Sequence, residues 1–361
     1  MSKYVLAINP GSTSTKVAIF EAYELINEKN LNHSTEELEK FKKITDQYDL
    51  RKDLILEWLE EININIDDLK AIVGRGGLLR PMPGGTYEIT EPMLEDLKIG
   101  IQGEHASNLG GLIANSIAKM GDIKAYIVDP VAVDEFDDVA RISGIPEIER
   151  RSLGHALNIK AVGHRVATEL NKRFNDASLI IAHLGGGISV APVQKGRILD
   201  YNNANEMGPF SPERTGSLPV GDLANLCFSG KYTYSEMKVK LRGKGGLTAY
   251  LGTNDGREVQ KMIDSGDERA KLIYEAMGYQ IAKEIGAMAT VLKGDIDAIV
   301  LTGGLAYSKK LVEFISPMID FIAPVILKPG GDEMVALNEG TQRVLIGDEV
   351  AKIYENEVVF R

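Results

Sequence analysis

Only one cysteine, Cys227, occurs in the 361 residues. It has no partner for an internal disulfide and offers no thiolate cluster to a metal, which fits a reducing compartment; it reads as a small core residue. Long apolar runs are also missing. No stretch approaches the ~20 residues that cross a bilayer, and the opening MSKYVLAINPGSTSTK lacks the layout of a secretory leader. The expected location is therefore cytoplasmic, with no membrane partner. Positive charge is in short supply: 41 Lys and Arg against 52 Asp and Glu leave a net charge of −11. That removes the broad attraction on which nucleic-acid binding depends, so no nucleic-acid partner is expected and any anionic ligand must be held locally. Neither G-x-x-x-x-G-K-[ST] nor G-x-G-x-x-G occurs, which sets aside the P-loop and Rossmann readings.

Glycine, by contrast, is abundant at 37 residues. Its clusters follow short apolar runs at 4–8, 71–73, 125–128, 179–182 and 298–301, as turns follow buried strands. Helical periodicity covers 50–61, 105–119, 157–174, 268–292 and 309–322. This alternation predicts an α/β architecture. Residues 34–61 are charged and amphipathic, and read as a pair of solvated surface helices without chemistry. With no Pro-rich linker, a hinge is expected in the ordinary loops around 143–153.

The chain also resembles itself. VLAINPGSTSTKVAIFEAYELINE, from Val5, and LIIAHLGGGISVAPVQKGRILDYN, from Leu179, lie 174 residues apart. Each runs from an apolar strand to a polar residue (Asn9, His183), then through a Gly- and Ser-containing turn into two further strands. Two such copies predict a duplicated fold with a ligand held between them. Small residues in both turns let phosphate approach backbone N–H groups and hydroxyls. Ser12 and Ser14 in the first turn, and Gly185, Gly186 and Gly187 in the second, are the candidates for a polyphosphate.

The stretch Asn9-Pro10-Gly11-Ser12-Thr13-Ser14-Thr15-Lys16 resembles the N-terminal signature of the acetate and butyrate kinases, within the actin/hexokinase/Hsp70-like superfamily. The likeness continues in family order through VGRGGLLRPMPGGTY, IVDPVAVDEF, RRSLGHALN, HLGGGIS, ERTGSLPVGDL, VLTGGLAYS and LNEGTQR. GRGGLLRPMPGGTY and the triple glycine are closer to the butyrate and branched-chain branch. The resemblance implies a duplicated ribonuclease H-like, actin-like ATPase fold with two lobes, mixed sheets and an interlobe cleft. The lobes are expected at 1–150 and 151–339, the second binding nucleotide, with 340–361 packing back on the first.

What the resemblance implies for chemistry is transfer of the ATP γ-phosphoryl group to a short-chain carboxylate, giving an acyl phosphate and ADP. Such a transfer brings two anions together and needs cations aimed at the moving group. Arg75 and Arg214 match the family's two arginines, and His155 matches the histidine held to stabilise the phosphoryl group. Asp129 matches a cleft aspartate, with Asp134 as the alternative assignment. Asn9 and Glu339 match the magnesium environment. Asn9, Ser12, Ser14, Lys16, His183, Gly185, Gly186 and Gly187 are expected to contact nucleotide phosphates. Gly303 and Gly304 match the adenosine loop, Gly330 and Gly331 being a second candidate. Asn202, Asn203 and Asn205 are left unassigned; His33, His105 and His164 read as structural. A homodimer or higher homo-oligomer is implied by the resemblance alone. Other acids (acetate, propionate, isobutyrate), a carbohydrate acceptor with Asp129 as base, and a partner-gated ATPase are the competing readings.

Overall fold

The apolar run after Lys3 forms β1 (Tyr4–Pro10), which pairs antiparallel with β2 (Ser14–Glu21), itself antiparallel to β3 (Glu24–Asn32). On its other side β1 pairs in parallel with β4 (Leu69–Arg75), and β4 in parallel with β6 (Lys124–Val128). The short β5 (Thr86–Glu88) adds antiparallel to β6. The chain is seen here in a computed structural model that describes residues 2–358.

A second mixed sheet repeats the plan. Antiparallel β7 (Ser178–Leu184), β8 (Ile188–Gln194) and β9 (Arg197–Ile198) correspond to β1, β2 and β3. Parallel β10 (Ala298–Gly303) and β11 (Val325–Pro329) follow on the other side of β7. Finally β12 (Lys352–Ile353) returns to the first sheet, whose order is β12-β5-β6-β4-β1-β2-β3; the second runs β11-β10-β7-β8-β9. The duplication read from the repeat is thus a duplication of strand topology.

Both faces of the first sheet are buried, which is why its central strands are continuous apolar runs. Alternate residues divide between two clusters: Leu6, Ile8, Val17, Ile19 and Ile72 pack with Ile55, Trp58 and Ile113 on one face. Val5, Ala7, Phe20 and Val73 pack with Leu157, Met334 and Leu337 on the other. In the second sheet Ile180, Ala182, Val190 and Leu301 pack against Met277, Ile281 and Ile285 of the long helix Glu268–Val291.

Several expectations change. The chain forms two units: one takes in residues up to Asp134, Ala156–Ala161 and the chain from Asp332, the other Glu135–His155 and Val162–Gly331. The expected limits at 150 and 339 differ from these because the helix Ala156–Glu169 contributes Leu157 and Ala161 to the first core, and the helix Glu333–Leu345 contributes Met334 and Leu337. Of the segment expected to pack back, 359–361 lie outside the described residues. The helix Lys309–Ile315 stops short of 322, giving way to a 3-10 turn, Ser316–Met318, that contains Pro317. Cys227 is exposed rather than in a core, on a helix (Val220–Phe228) that buries none of its residues. The helix Tyr48–Glu61 is not merely solvated: it buries Arg51, Ile55, Trp58 and Leu59.

Candidate active site

In the first unit the site grows from the end of β1. Asn9 and Lys16 face each other across the β1–β2 ladder, and alternation puts Ser14 on their side and Thr15 on the opposite one. Asn9 Nδ2 donates to Glu333 Oε2 at 2.5 Å, and Arg75 Nη1 at the end of β4 donates to Glu333 Oε1 at 3.0 Å. One carboxylate therefore joins the polar end of β1 to the cation at the end of β4. Lys16 pairs with Glu28 of β3 at 2.9 Å, so a protein carboxylate already faces the ammonium expected on nucleotide phosphates.

Glu333, not Glu339, stands beside Asn9. Both lie on the helix Glu333–Leu345, but six residues turn the side chain ~240° and carry it ~9 Å along the axis. Glu339 comes instead near Tyr23, whose hydroxyl pKa is raised by burial first, then by Asp348, with a smaller contribution from Glu339. Of the two aspartates left open, Asp129 is the buried one, 3% exposed. It holds a strained positive φ of 38°, accepts from Gly85 N at 2.7 Å on Oδ1 and donates its own N–H to Gly85 O. Asp129 thus fixes the loop before β5, while the half-buried Asp134 donates its backbone N–H to Met82 O.

The second unit builds on the equivalent turn. Arg214 lies so close to Gly187 that a Cβ there would sit 2.0 Å from Nη1, so only glycine admits the guanidinium. Its Nη1 donates to Ala204 O at 2.9 Å, its buried Nε finds no partner among the described residues, and burial lowers its pKa. The rings of His155 and His183 stack with centroids 4.0 Å apart, and His155 Nδ1 lies 2.9 Å from Ser189 Oγ. His155 immediately precedes the helix Ala156–Glu169, and His183 faces Ser189 across β7–β8. The sequence repeat aligned His183 with Asn9; the structure gives His183 a histidine neighbour that Asn9 lacks.

Beside this turn opens a cavity of about 1130 Å³, above the usual range for small-ligand pockets. Gly185, Gly186 and Gly304 line it, together with Glu213, Arg257 and Lys310, which sequence reasoning did not single out. Gly303 is not among the lining residues; its φ of 85° and close approach to Leu184 O shape the turn that presents Gly304. Asn254-Asp255-Gly256 was the overlooked signal, a turn-forming triplet whose Asp255 caps the next helix through Arg257 N at 2.8 Å. Asn202, unassigned in the sequence, accepts from Val190 N at 2.8 Å and donates to Ile188 O at 2.7 Å, so its amide stands in for a strand residue along β8.

The chain has relatives among known proteins. The Acetokinase family profile matches residues 147–322. A protein of Caldanaerobacter subterraneus subsp. tengcongensis named "Probable butyrate kinase 2" is 58% identical over 350 residues, 97% of this chain and 99% of that one. "Butyrate kinase 2" of Clostridium acetobutylicum is 56% identical over 352 residues, with the same shares covered. Among solved structures, the acetate kinase of Porphyromonas gingivalis superposes with a TM-score of 0.80 at 20% identity, over 95% of this chain and all of that one. That likeness establishes the two-sheet, actin-like fold. With identity above half along nearly the whole length of these relatives, the chain belongs to the acetokinase family.

Proposed function

We propose that this chain transfers the γ-phosphoryl group of ATP, reversibly, to the carboxylate of a short-chain fatty acid, butyrate being the preferred substrate. The observation that carries the reading is the pair of relatives above, both named as butyrate kinases. A carboxylate is ionised at neutral pH, so it attacks phosphorus without a general base. The chemical demand falls on charge neutralisation, which we assign to Arg75 and Arg214, with His155 as a further donor to the moving group. The nucleotide occupies the cavity at Gly185, Gly186 and Gly304.

Among the described residues no group of three His, Cys, Asp or Glu side chains could cage a metal. That fits magnesium, which takes one or two carboxylates and completes its shell with phosphate oxygens and water. Glu333 and the amide oxygen of Asn9 are the hard donors available to hold it, and when bound it neutralises phosphate charge. A homodimer or higher homo-oligomer is part of the same proposal. Val220 and Phe228, 81% and 91% exposed on an apolar helix, give a second copy something to cover. Light scattering reading a multiple of 39.4 kDa would support it.

The test uses MgATP with a series of straight and branched acids from acetate to valerate, trapping acyl phosphate with hydroxylamine. Hydroxamate maximal with butyrate is expected. A maximum at acetate would keep the chemistry and overturn the chain length, since one methylene is worth only ~1–3 kcal/mol. ADP formed without hydroxamate for any acid would overturn the reading itself.

A further inference from the structure

Beneath the Gly11–Ser14 turn lies a polar group that the proposed chemistry does not use. Arg51 is 0% exposed, and among the described residues no carboxylate pairs with it. Its Nη1 donates to Gly11 O at 2.8 Å, Ser14 O at 3.1 Å and Thr15 Oγ1 at 3.1 Å. Its Nη2 donates to Ser12 O at 3.2 Å and to Gln47 Oε1 at 2.8 Å, and Nε also reaches Gln47. The remaining carbonyl of the turn, Thr13 O, accepts from His33 N at 2.9 Å. All four carbonyls are thereby drawn to the buried side. The backbone N–H groups of Ser12 and Thr13, both exposed residues, find no acceptor among the described residues.

Burying a guanidinium with only neutral acceptors is costly. Desolvation lowers the Arg51 pKa to about 10, which still leaves it charged at neutral pH. Two consequences follow for an anion meeting the outer side of the turn. The turn's dipoles are fixed with donors outward, as in anion-binding nests, and a positive charge that no protein carboxylate cancels lies directly behind them.

We propose that Arg51 is a positioning residue for phosphate recognition, setting the polarity of the Gly11–Ser14 turn from its buried side and adding an uncancelled positive charge beneath it. For its substrates the inference rests on the phosphoryl-transfer reading; for inorganic polyphosphate it does not. Arg51 touches no substrate and acts only through the turn. Arg51→Lys keeps the charge and loses the fork, Arg51→Gln loses both, and Gln47→Leu keeps the guanidinium but removes the acceptor that orients it.

The experiment pairs calorimetric binding of tripolyphosphate with KM values from the hydroxamate assay. In Arg51→Gln, tripolyphosphate binding weakens and KM for MgATP rises about 10-fold or more, while KM for butyrate stays within about twofold. Arg51→Lys recovers part of the loss, and Gln47→Leu raises KM for MgATP by a few-fold. A folded Arg51→Gln protein with unchanged tripolyphosphate affinity and KM overturns the inference. So does a uniform loss in every parameter that tracks the folded fraction without rescue by lysine. Should Arg51→Gln not fold, the other two variants decide, and wild-type KM for MgATP in both overturns it. If the unaltered protein makes no acyl phosphate but its tripolyphosphate binding still depends on Arg51, the proposed reaction falls and the role of Arg51 stands.

Discussion

The two glycine-containing turns begin from the same strand plan and are finished differently. After β1, a buried cation holds the turn from below: Arg51 takes the carbonyls of Gly11, Ser12 and Ser14, and Thr15 Oγ1 meets both Arg51 and His33. After β7 the turn is held differently. There Ser211 Oγ donates to Gly186 O at 2.6 Å, Gly185 N to Gly187 O at 3.2 Å, and Arg214 rests on the backbone of Gly187. The second hairpin is one residue shorter, Leu184 pairing with Ile188 where Pro10 pairs with Thr15, so Ser189, opposite His183, takes the register place of Lys16; Thr15 Oγ1 serves a buried guanidinium, whereas Ser189 Oγ meets His155. The duplicated strand order is kept while the turn and its cations diverged: an arginine beneath the turn in one copy, an arginine against its glycines in the other.

The largest effects are expected from the two arginines assigned to the moving group, one in each unit. Arg75→Ala and Arg214→Ala should each lower turnover by at least ~100-fold, the loss expected for a transition-state charge contact. Gly187→Ala should approach Arg214→Ala, because its methyl group occupies the place of the guanidinium; turnover near that of the unaltered protein would mean that Arg214 does not work from that position. A smaller effect, about one to two orders of magnitude in apparent magnesium affinity, is expected for Glu333→Gln. Glu339→Gln should stay within about twofold of the unaltered protein. A reversed pair, measured by magnesium titration of the hydroxamate assay, would restore the glutamate expected from the sequence.

That exchange of glutamates shows where sequence reading stopped. The central strands were legible because a sheet buried on both faces leaves uninterrupted apolar runs, and the repeat was legible because equivalent strands carry equivalent patterns. Which glutamate of one helix reaches Asn9 depends on where the helix starts, and that start, after Gly330-Gly331, carries no side-chain cap bond from Asp332 that a sequence motif would announce. Arg51 left still less trace. Its acceptors are main-chain carbonyls, Gln47 and the Thr15 hydroxyl, a set with no spacing that marks a sequence, and the charged pattern of 34–61 is the one that solvated helices share. Arg257 and Lys310 lay in segments with no distinctive spacing, and only the folded cavity gathers them with Gly185.

The buried side of the first turn also makes a proton-linked prediction. His33 is 5% exposed, with Nε2 at 2.9 Å from Thr15 Oγ1 and Nδ1 without a partner. Burial first, and then Arg51, lower its pKa to about 4, with Glu37 opposing them. The unfolded chain therefore binds this proton first, near the ordinary value of ~6.5. The contribution of His33 to stability is complete above that value and is lost as pH falls toward 4, amounting to about 2 kcal/mol between pH 7 and pH 5. Urea unfolding at both pH values, on the unaltered protein and on His33→Gln, reads the difference free of the other titrating groups. A smaller acid-induced loss in His33→Gln is expected. An equal loss in the two proteins would show that the folded chain takes up this proton as readily as the unfolded one, so that neither burial nor Arg51 holds the imidazole neutral.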